Sequence, residues 1–405
     1  MIRHIVKLAW KRKGTNVILI VEIFVTFLVL TGVFITGLFY LGNYMEPLGF
    51  EYEHVWELYA RHTDIEIARI DMETPDIRDT LAQVTESLTA IPEIEHVCFS
   101  PYLHPFSDWG NMMPYTYEGK TVYCGYTATG DGFPEVFRPD LVAGRWFDAS
   151  DEGSHRIPIV VTKRMGKELF GEELPLGKVL EWRHWRTGEL IEHEVVGVLN
   201  SFKKYGELNK PRSYMLQYQS SAQPIEQSDF SLYIRVTPSA TAKLEEKIMP
   251  VLRTVARDFT CTINPLEVRR ETQIKTQLTL YSIFGVIGVS LLIMIGLGIF
   301  GVLWQNISRR TVEIGVRRAN GATRRSIYTQ ILGELLIVSS CALLTGALVI
   351  AQLYLMDALG DVNGRTCFLG IVSGVLVMFG MIVCCSLYPG YTATRIHPAE
   401  ALHYE

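Results

Sequence analysis

Arg310, Glu313 and Arg317 stand at i, i+3 and i+7, so on a helix they share one face, with Arg318 beside them. Glu313 lies four residues ahead of Arg317, the favourable order for an intrahelical ion pair, about 0.3 to 0.5 kcal/mol at a solvated surface. Ile307 and Ile314 line a second stripe. Gly321 is expected to break this helix after Asn320, and Ala322 leads into a second helix from Thr323. Such a face makes no bonds; its chemistry is charge complementarity, the docking of another protein. On charge alone the same stretch also reads as a positive anchor that only sets membrane topology.

Bond-making chemistry finds little support elsewhere. Gly119-Lys120-Thr121 has the wording of the end of a nucleotide-binding loop, but the required first glycine falls at Pro114, so ATP must be bound elsewhere. His96 with Cys98, and His184 between Trp182 and Trp185, lack further ligands at set distances and read as strand-face residues rather than a metal site. Trp109 and the Trp182/Trp185 pair suit aromatic packing as well as an exposed contact surface. Neither G-x-S-x-G nor H-E-x-x-H occurs. The seven cysteines contain no C-x-x-C. Cys98, Cys124 and Cys261 are far apart, and Cys341, Cys367, Cys384 and Cys385 lie in or beside apolar runs. A disulfide within the first three would leave an odd thiol. A net charge of -5 over 405 residues argues against a nucleic-acid partner. No catalytic residue, cofactor or metal is expected in this chain.

The elements that must hold the basic stretch are membrane spans. Apolar residues make up 48% of the chain and are concentrated in runs at 17–41, 278–304, 331–356 and 366–388. Each run exceeds the ~20 residues a helix needs to cross a bilayer core. Residues 1–16 carry Arg3, Lys7, Lys11, Arg12 and Lys13 without an acid, and space Ile5, Leu8 and Ala9 as a cytoplasmic amphipathic helix along the membrane face. The first run is too long for a signal-peptide core and no A-x-A follows it, so it reads as an uncleaved span. The loop 305–330 holds Arg309, Arg310, Arg317, Arg318, Arg324 and Arg325 against Glu313. At ~2.5 to 3.5 kcal/mol per charge near the bilayer centre it stays in the cytoplasm, together with both termini and the tail 389–405. Residues 357–365 form a short exterior turn. Glu22, inside the first span, is placed at the interface in preference to facing another helix. Gly370 and Gly374, spaced as GxxxG, and Ala347 with Ala351 are small faces expected to pack helices within one subunit.

The polar interval 43–276 then lies outside the cytoplasm and is large enough for one or two domains. Its ends are built alike, as βαβ parts at 60–135 and 225–270. In the first, Ile65, Ile67 and Ile70 suggest a strand, Thr74-Pro75 opens a helix carrying Ile77, Leu81, Val84, Leu88 and Ile91, and 94–99 is a second strand. In the second, Phe230, Leu232, Ile234 and Val236 alternate as a strand. Leu244, Ile248, Val251 and Val255 then mark a helix kinked at Pro250, and 260–268 closes the unit. Between them a β-rich insertion at 140–220 carries strands at 157–161, 178–182 and 191–199, the last two joined across Thr187-Gly188, and a short helix at 165–170. The expected fold is membrane α-helical, with four transmembrane helices, plus an α+β extracytoplasmic domain of split ferredoxin-like βαβ units and a β-rich insertion.

The run 310–330 resembles the cytoplasmic loop of MacB/FtsX-type ABC transporter permeases. The matching residues are Glu313, Ile314, Gly315, Arg317, Arg318, Ala319, Gly321 and Ala322, followed by Ile327, Gln330 and Glu334. The tail RIHPAEALHYE resembles the family's terminal pattern through Pro398, Ala399, Glu400 and Ala401, with His403 where Arg is usual. The stretches LVAGRWF, IPIVVTKRMGKELFGEELPLGK and EVVGVLNSF resemble the family's exterior domain. The resemblance implies a permease subunit of the bacterial inner membrane, with ATP and Mg bound by a separate cytoplasmic ABC ATPase. That ATPase would dock on Arg310, Glu313, Ile314, Gly315, Arg317, Arg318, Gly321 and Ala322 and touch the tail residues. Its closure would move the periplasmic domain by mechanotransmission, for export from the periplasm. The implied assembly is a homodimer or a heterodimer with a paralogous permease. A periplasmic adaptor, an outer-membrane duct and the substrate are left open. A lipoprotein-release-type permease and an FtsX-like regulator of cell-wall hydrolases are the alternatives, and the large insertion leans toward the MacB-like exporter.

Overall fold

The computed structural model describes residues 13–63, 77–108, 110–130, 132–183, 188–219, 229–309, 316 and 320–394. The amphipathic start, the strand expected around Ile65 to Ile70, the Thr74-Pro75 helix start, His184 and the tail from residue 395 lie outside them. The chain divides into two compact units, Asn43–Thr276 and Met1–Gly42 with Gln277–Glu405.

Among the described residues helix α1 (Lys13–Tyr44) comes first, and β1 (Val55–His62), α2 (Arg78–Thr89) and β2 (Ile94–Phe99) follow. Next come β3 (Asn111–Tyr117), β4 (Lys120–Thr129), α3 (Phe133–Phe137), β5 (Leu141–Gly144), β6 (Ile157–Thr162) and α4 (Lys163–Phe170). Strands β7 (Val179–Arg183), β8 (Leu190–Leu199) and β9 (Tyr214–Tyr218) complete the insertion. The chain returns as β10 (Asp229–Val236), α5 (Lys243–Val255) and β11 (Phe259–Pro265). Helices α6 (Leu266–Arg309), α7 (Arg324–Leu355) and α8 (Gly364–Thr394) complete the described residues.

The first sheet has the order β11-β1-β10-β2 with antiparallel neighbours throughout. This is the split ferredoxin-like arrangement, with α2 and α5 on one face. Strand residues alternate between faces. Trp56, Leu58 and Ala60 of β1 therefore join Ile77, Leu81, Val84 and Leu88 and Leu244, Ile248 and Leu252 in one core, while Val55 belongs to another. Strand β1 was not foreseen. It is covered on both faces for most of its length, so it shows no clean polar and apolar alternation.

The insertion forms a seven-stranded sheet ordered β5-β8-β6-β9-β4-β3-β7, and β7 also pairs with β8, closing the others into a ring that leaves β5 outside. Tyr115, Cys124, Ile159, Val161, Met165, Leu180, Val195 and Met215 fill it. The hairpin expected across Thr187-Gly188 is present as the pairing of Val179 with Glu194 through Arg183 with Leu190. Strands β3 and β4, inside the stretch 60–135 read as βαβ, pair instead into this second sheet, because β4 runs parallel to β9 from Gly125 to Thr129.

Each of α1, α6, α7 and α8 contains a stretch long and apolar enough to cross a membrane. Helix α6 starts at Leu266, directly after Pro265, so the expected span 278–304 is the apolar part of a 44-residue helix and the strand expected to 268 stops short. The GxxxG face of α8 packs on α1 of the same chain: a Cβ on Gly370 would lie 2.4 Å from Ile35 Cγ1, and one on Gly374 2.5 Å from Thr31 Oγ1. Gly346 of α7 meets Phe27 in the same way, with Ala347 packed beside it. Glu22, expected at the interface, is turned toward α6, where a Cβ on Gly298 would lie 3.0 Å from its Oε2.

Candidate functional site

Of the residues expected to dock a partner, Gly321 and Ala322 are described. Arg310, Glu313, Ile314, Gly315, Arg317 and Arg318, and the tail residues Pro398, Ala399, Glu400 and Ala401, lie outside the described residues. The Asn320 N–H donates to the Val316 carbonyl at 3.0 Å, and Gly321 follows at φ +88°, a conformation that suits glycine because it has no Cβ. Thr323 then caps α7, its Oγ1 accepting from the Ser326 N–H at 3.2 Å. The turn and the second helix stand where the spacing puts them.

A second constellation, which sequence reasoning missed, is centred on Glu57 of β1. Its side chain has no solvent exposure. Alternation turns it away from the face covered by α2 and α5. Its Oε1 accepts from Tyr233 Oη at 3.0 Å and Ser231 Oγ at 3.3 Å, both on β10, and lies 2.8 Å from His104 Nδ1. Arg269, in the first turn of α6, pairs with Oε2. The His104 N–H donates to the Tyr233 oxygen at 2.9 Å, so backbone, phenol and carboxylate form a closed chain.

Burial, and then the nearby Lys204 ammonium, hold the His104 imidazole down to about 4. It is therefore neutral near pH 7, and its Nδ1–H donates to the carboxylate. Burial also lowers Arg269, but a guanidinium keeps its charge at any ordinary pH, so Glu57 and Arg269 form a true ion pair. Burial drives the Tyr233 phenol well above its usual range, which keeps it a donor. Phenol, hydroxyl and imidazole all donate to the one carboxylate. What the arrangement does is fix the four-stranded sheet, the segment leading into the insertion and the start of α6 to one another, because a buried charge is costly in any position that leaves it unpaired.

The other chemistry-bearing motifs resolve into architecture. Glu118 and Gly119 both have positive φ, 46° and 80°, and join β3 to β4 with Tyr117 paired to Lys120: a two-residue hairpin turn. His96 and Cys98 sit on β2 opposite Arg235 and Tyr233, and burial pushes the Cys98 thiol well up. Cys98 and Cys124 are buried, Cys261 is half-buried, and all three are free thiols.

Residues 21–251 match the MacB-like periplasmic core domain, and residues 285–398 match the FtsX-like permease C-terminal family. The chain is 25% identical over 302 residues to the pyoverdine export ATP-binding/permease protein PvdT of Pseudomonas fluorescens, covering 71% of this chain and 44% of that relative. It is 24% identical over 307 residues to the macrolide export ATP-binding/permease protein MacB of Bdellovibrio bacteriovorus, covering 72% and 45%. To the ABC transporter permease YknZ of Bacillus subtilis it is 28% identical over 284 residues, covering 68% of each chain. The chain thus spans about half the length of the first two. The periplasmic region of MacB from Actinobacillus actinomycetemcomitans aligns at TM-score 0.36 with 14% identity, covering 57% of this chain and 97% of that one.

Proposed function

This chain belongs to the MacB-like and FtsX-like family of ABC transporter permeases, and from that premise we propose that it is the membrane subunit of an exporter driven by a separate cytoplasmic ABC ATPase. The observation that carries the reading is the order of its parts. Among the described residues one candidate span precedes the α+β unit Asn43–Thr276 and three follow it, and in the sequence a long arginine-rich stretch lies between the second and third. With that stretch in the cytoplasm, the α+β unit is periplasmic and both termini are cytoplasmic.

In this reading ATP and Mg²⁺ sit on the partner, whose closure presses on the stretch around Glu313, Arg317 and Arg318. The displacement reaches the periplasmic domain, which drives export without a pore through the four spans. Charge complementarity at Glu313 and the two arginines sets the docking. The test is purification of the full chain from its own membranes in mild detergent. An ATP-hydrolysing subunit is expected to travel with it, and Glu313→Arg is expected to keep ATP turnover while abolishing the ATP-dependent change in the periplasmic domain. Recovery of the chain with a periplasmic hydrolase and no exporter activity would overturn the export reading.

A further inference from the structure

Between β8 and β9 the chain makes a buried loop whose polar groups reach the last residues of α1 and the first turns of α6. Lys203 is 2% exposed, and its Nζ donates to the carbonyls of Asn43 at 2.6 Å and Glu207 at 2.7 Å. Asn43 is the penultimate residue of α1, where carbonyls lack helical partners, and an ammonium there also meets the negative end of the helix dipole. Asn43 Nδ2 in turn donates to the Leu208 carbonyl at 2.9 Å, and the Lys203 N–H to the Leu48 carbonyl at 2.9 Å. On the other side, the Glu207 carboxylate pairs with Arg270 of α6, whose guanidinium lies 4.9 Å from the centre of the Tyr52 ring. Gly206, at φ +90°, lies so close to α6 that a Cβ there would come within 2.6 Å of Gln273 Oε1. The root of the loop is anchored in the aromatic core through Phe202, whose ring lies tilted with its centre 4.9 Å from those of both Phe50 and Tyr214.

We propose that residues 203–208 are a clasp that ties the end of α1 and the start of α6 directly to the β-rich insertion, with Lys203 and Glu207 as its positioning residues. The proposal rests on the permease reading and names the joint through which movement of those two helices reaches the insertion. Its logic is that two elements distant in sequence are held by one loop through charge-assisted bonds in a dry setting. No residue of β1, β2, β10 or β11 takes part in the contacts just given, so this link is separate from the Glu57–Arg269 pair that joins β1 to α6. The clasp stays closed during the cycle, since opening it would strand a buried ammonium and a buried carboxylate.

The test compares hydrogen exchange in the full chain, reconstituted in nanodiscs with its co-purified ATPase, in the apo state and after ATP with vanadate. Lys203→Met keeps the apolar stem and removes the ammonium. Glu207→Gln drops only the charge facing Arg270, and is read in its place if Lys203→Met does not accumulate. The wild-type chain is expected to show ATP-dependent changes in β8 and β9. Each variant is expected to keep ATP turnover and to lose that change by about tenfold, the worth of one charge-assisted hydrogen bond. A residue with a merely structural role would lower the thermal midpoint and leave the ATP-dependent difference intact, and that result overturns the clasp while the permease reading stands. Absence of any ATP-dependent change in the wild-type domain overturns the permease reading itself, and the clasp with it.

Discussion

Replacing Glu57 by Leu removes the centre of the constellation that joins β1, β10 and α6. The carboxylate is fully buried, and its loss leaves the Tyr233 and Ser231 hydroxyls, neither of them exposed, without their acceptor. It also leaves the Arg269 guanidinium, 29% exposed, without its counter-charge. Breaking a buried pair costs about 3 to 5 kcal/mol, and because Arg269 reaches some water the lower end applies, about 3 kcal/mol. For a unit of this size each kcal/mol moves the midpoint about 2 to 4 °C, so a fall of roughly 6 to 12 °C is expected. The assay is intrinsic-fluorescence melting of the full chain in detergent, with Trp56, Trp146 and Trp182 as reporters within the α+β unit. Glu57→Leu combined with Arg269→Met is expected to recover more than half of the loss, since an apolar pair of similar volume is close to neutral where a single buried charge is not. A fall below about 2 °C in the single variant, or no recovery in the double, would refute the assignment of a buried ion pair at this position.

His193 is 1% exposed, donates from Nε2 to Gln217 Oε1 at 3.2 Å, and is held by burial from 6.5 to about 4. The unfolded chain therefore binds more protons between these values, and the contribution of His193 to stability is expected to fall by about 3 kcal/mol as pH drops from 6.5 to 4 and to stay flat above 6.5. His193→Gln should remove that share of the slope in melts recorded across the range. Gly370→Val should lower the melting midpoint of the membrane unit by an overpacking cost of about 1 to 3 kcal/mol, because its Cβ would meet Ile35. An unchanged midpoint would place α8 elsewhere. A membrane-impermeant thiol reagent on spheroplasts, with the parent chain as blank, should label a cysteine at Ser154 and spare one at Ser308, and the reverse pattern would invert the topology.

Much of this fold was legible where local periodicity and length suffice. Ile77, Leu81, Val84 and Leu88 marked α2, and apolar runs marked the spans. Asn-Gly before Ala-Thr marked the turn that Gly321 makes at positive φ. Helix α6 shows where hydropathy fails: its first turns, LEVRRETQIKTQ, are polar, so the run seemed to begin a dozen residues late although the helix is continuous from Leu266. The Glu57 site was illegible for a different reason. Its partners Ser231 and Tyr233 lie 174 and 176 residues away, and nothing local distinguishes a buried glutamate from a solvated one on a strand. Lys203 was hidden in the same way, since a lysine in a loop ordinarily reads as solvated.

The buried charges share a location. Between the four-stranded sheet and the insertion lies a core in which Phe50, Phe106, Phe133, Phe137, Phe202, Tyr214 and Tyr233 pack together. Around it sit Glu57 bonded toward His104, Lys203 toward Asn43, and Arg235, 3% exposed, donating from Nε to the Val136 carbonyl of α3 at 2.8 Å and pairing with Glu51 at 3.1 Å. Each links a strand or neck residue to a residue of the insertion or of the segment leading into it. Any displacement of the insertion over the aromatic core would break all of them together, and each break leaves a charge in a dry place. The aromatic contacts supply the adhesion, and the charges restrict it to one register.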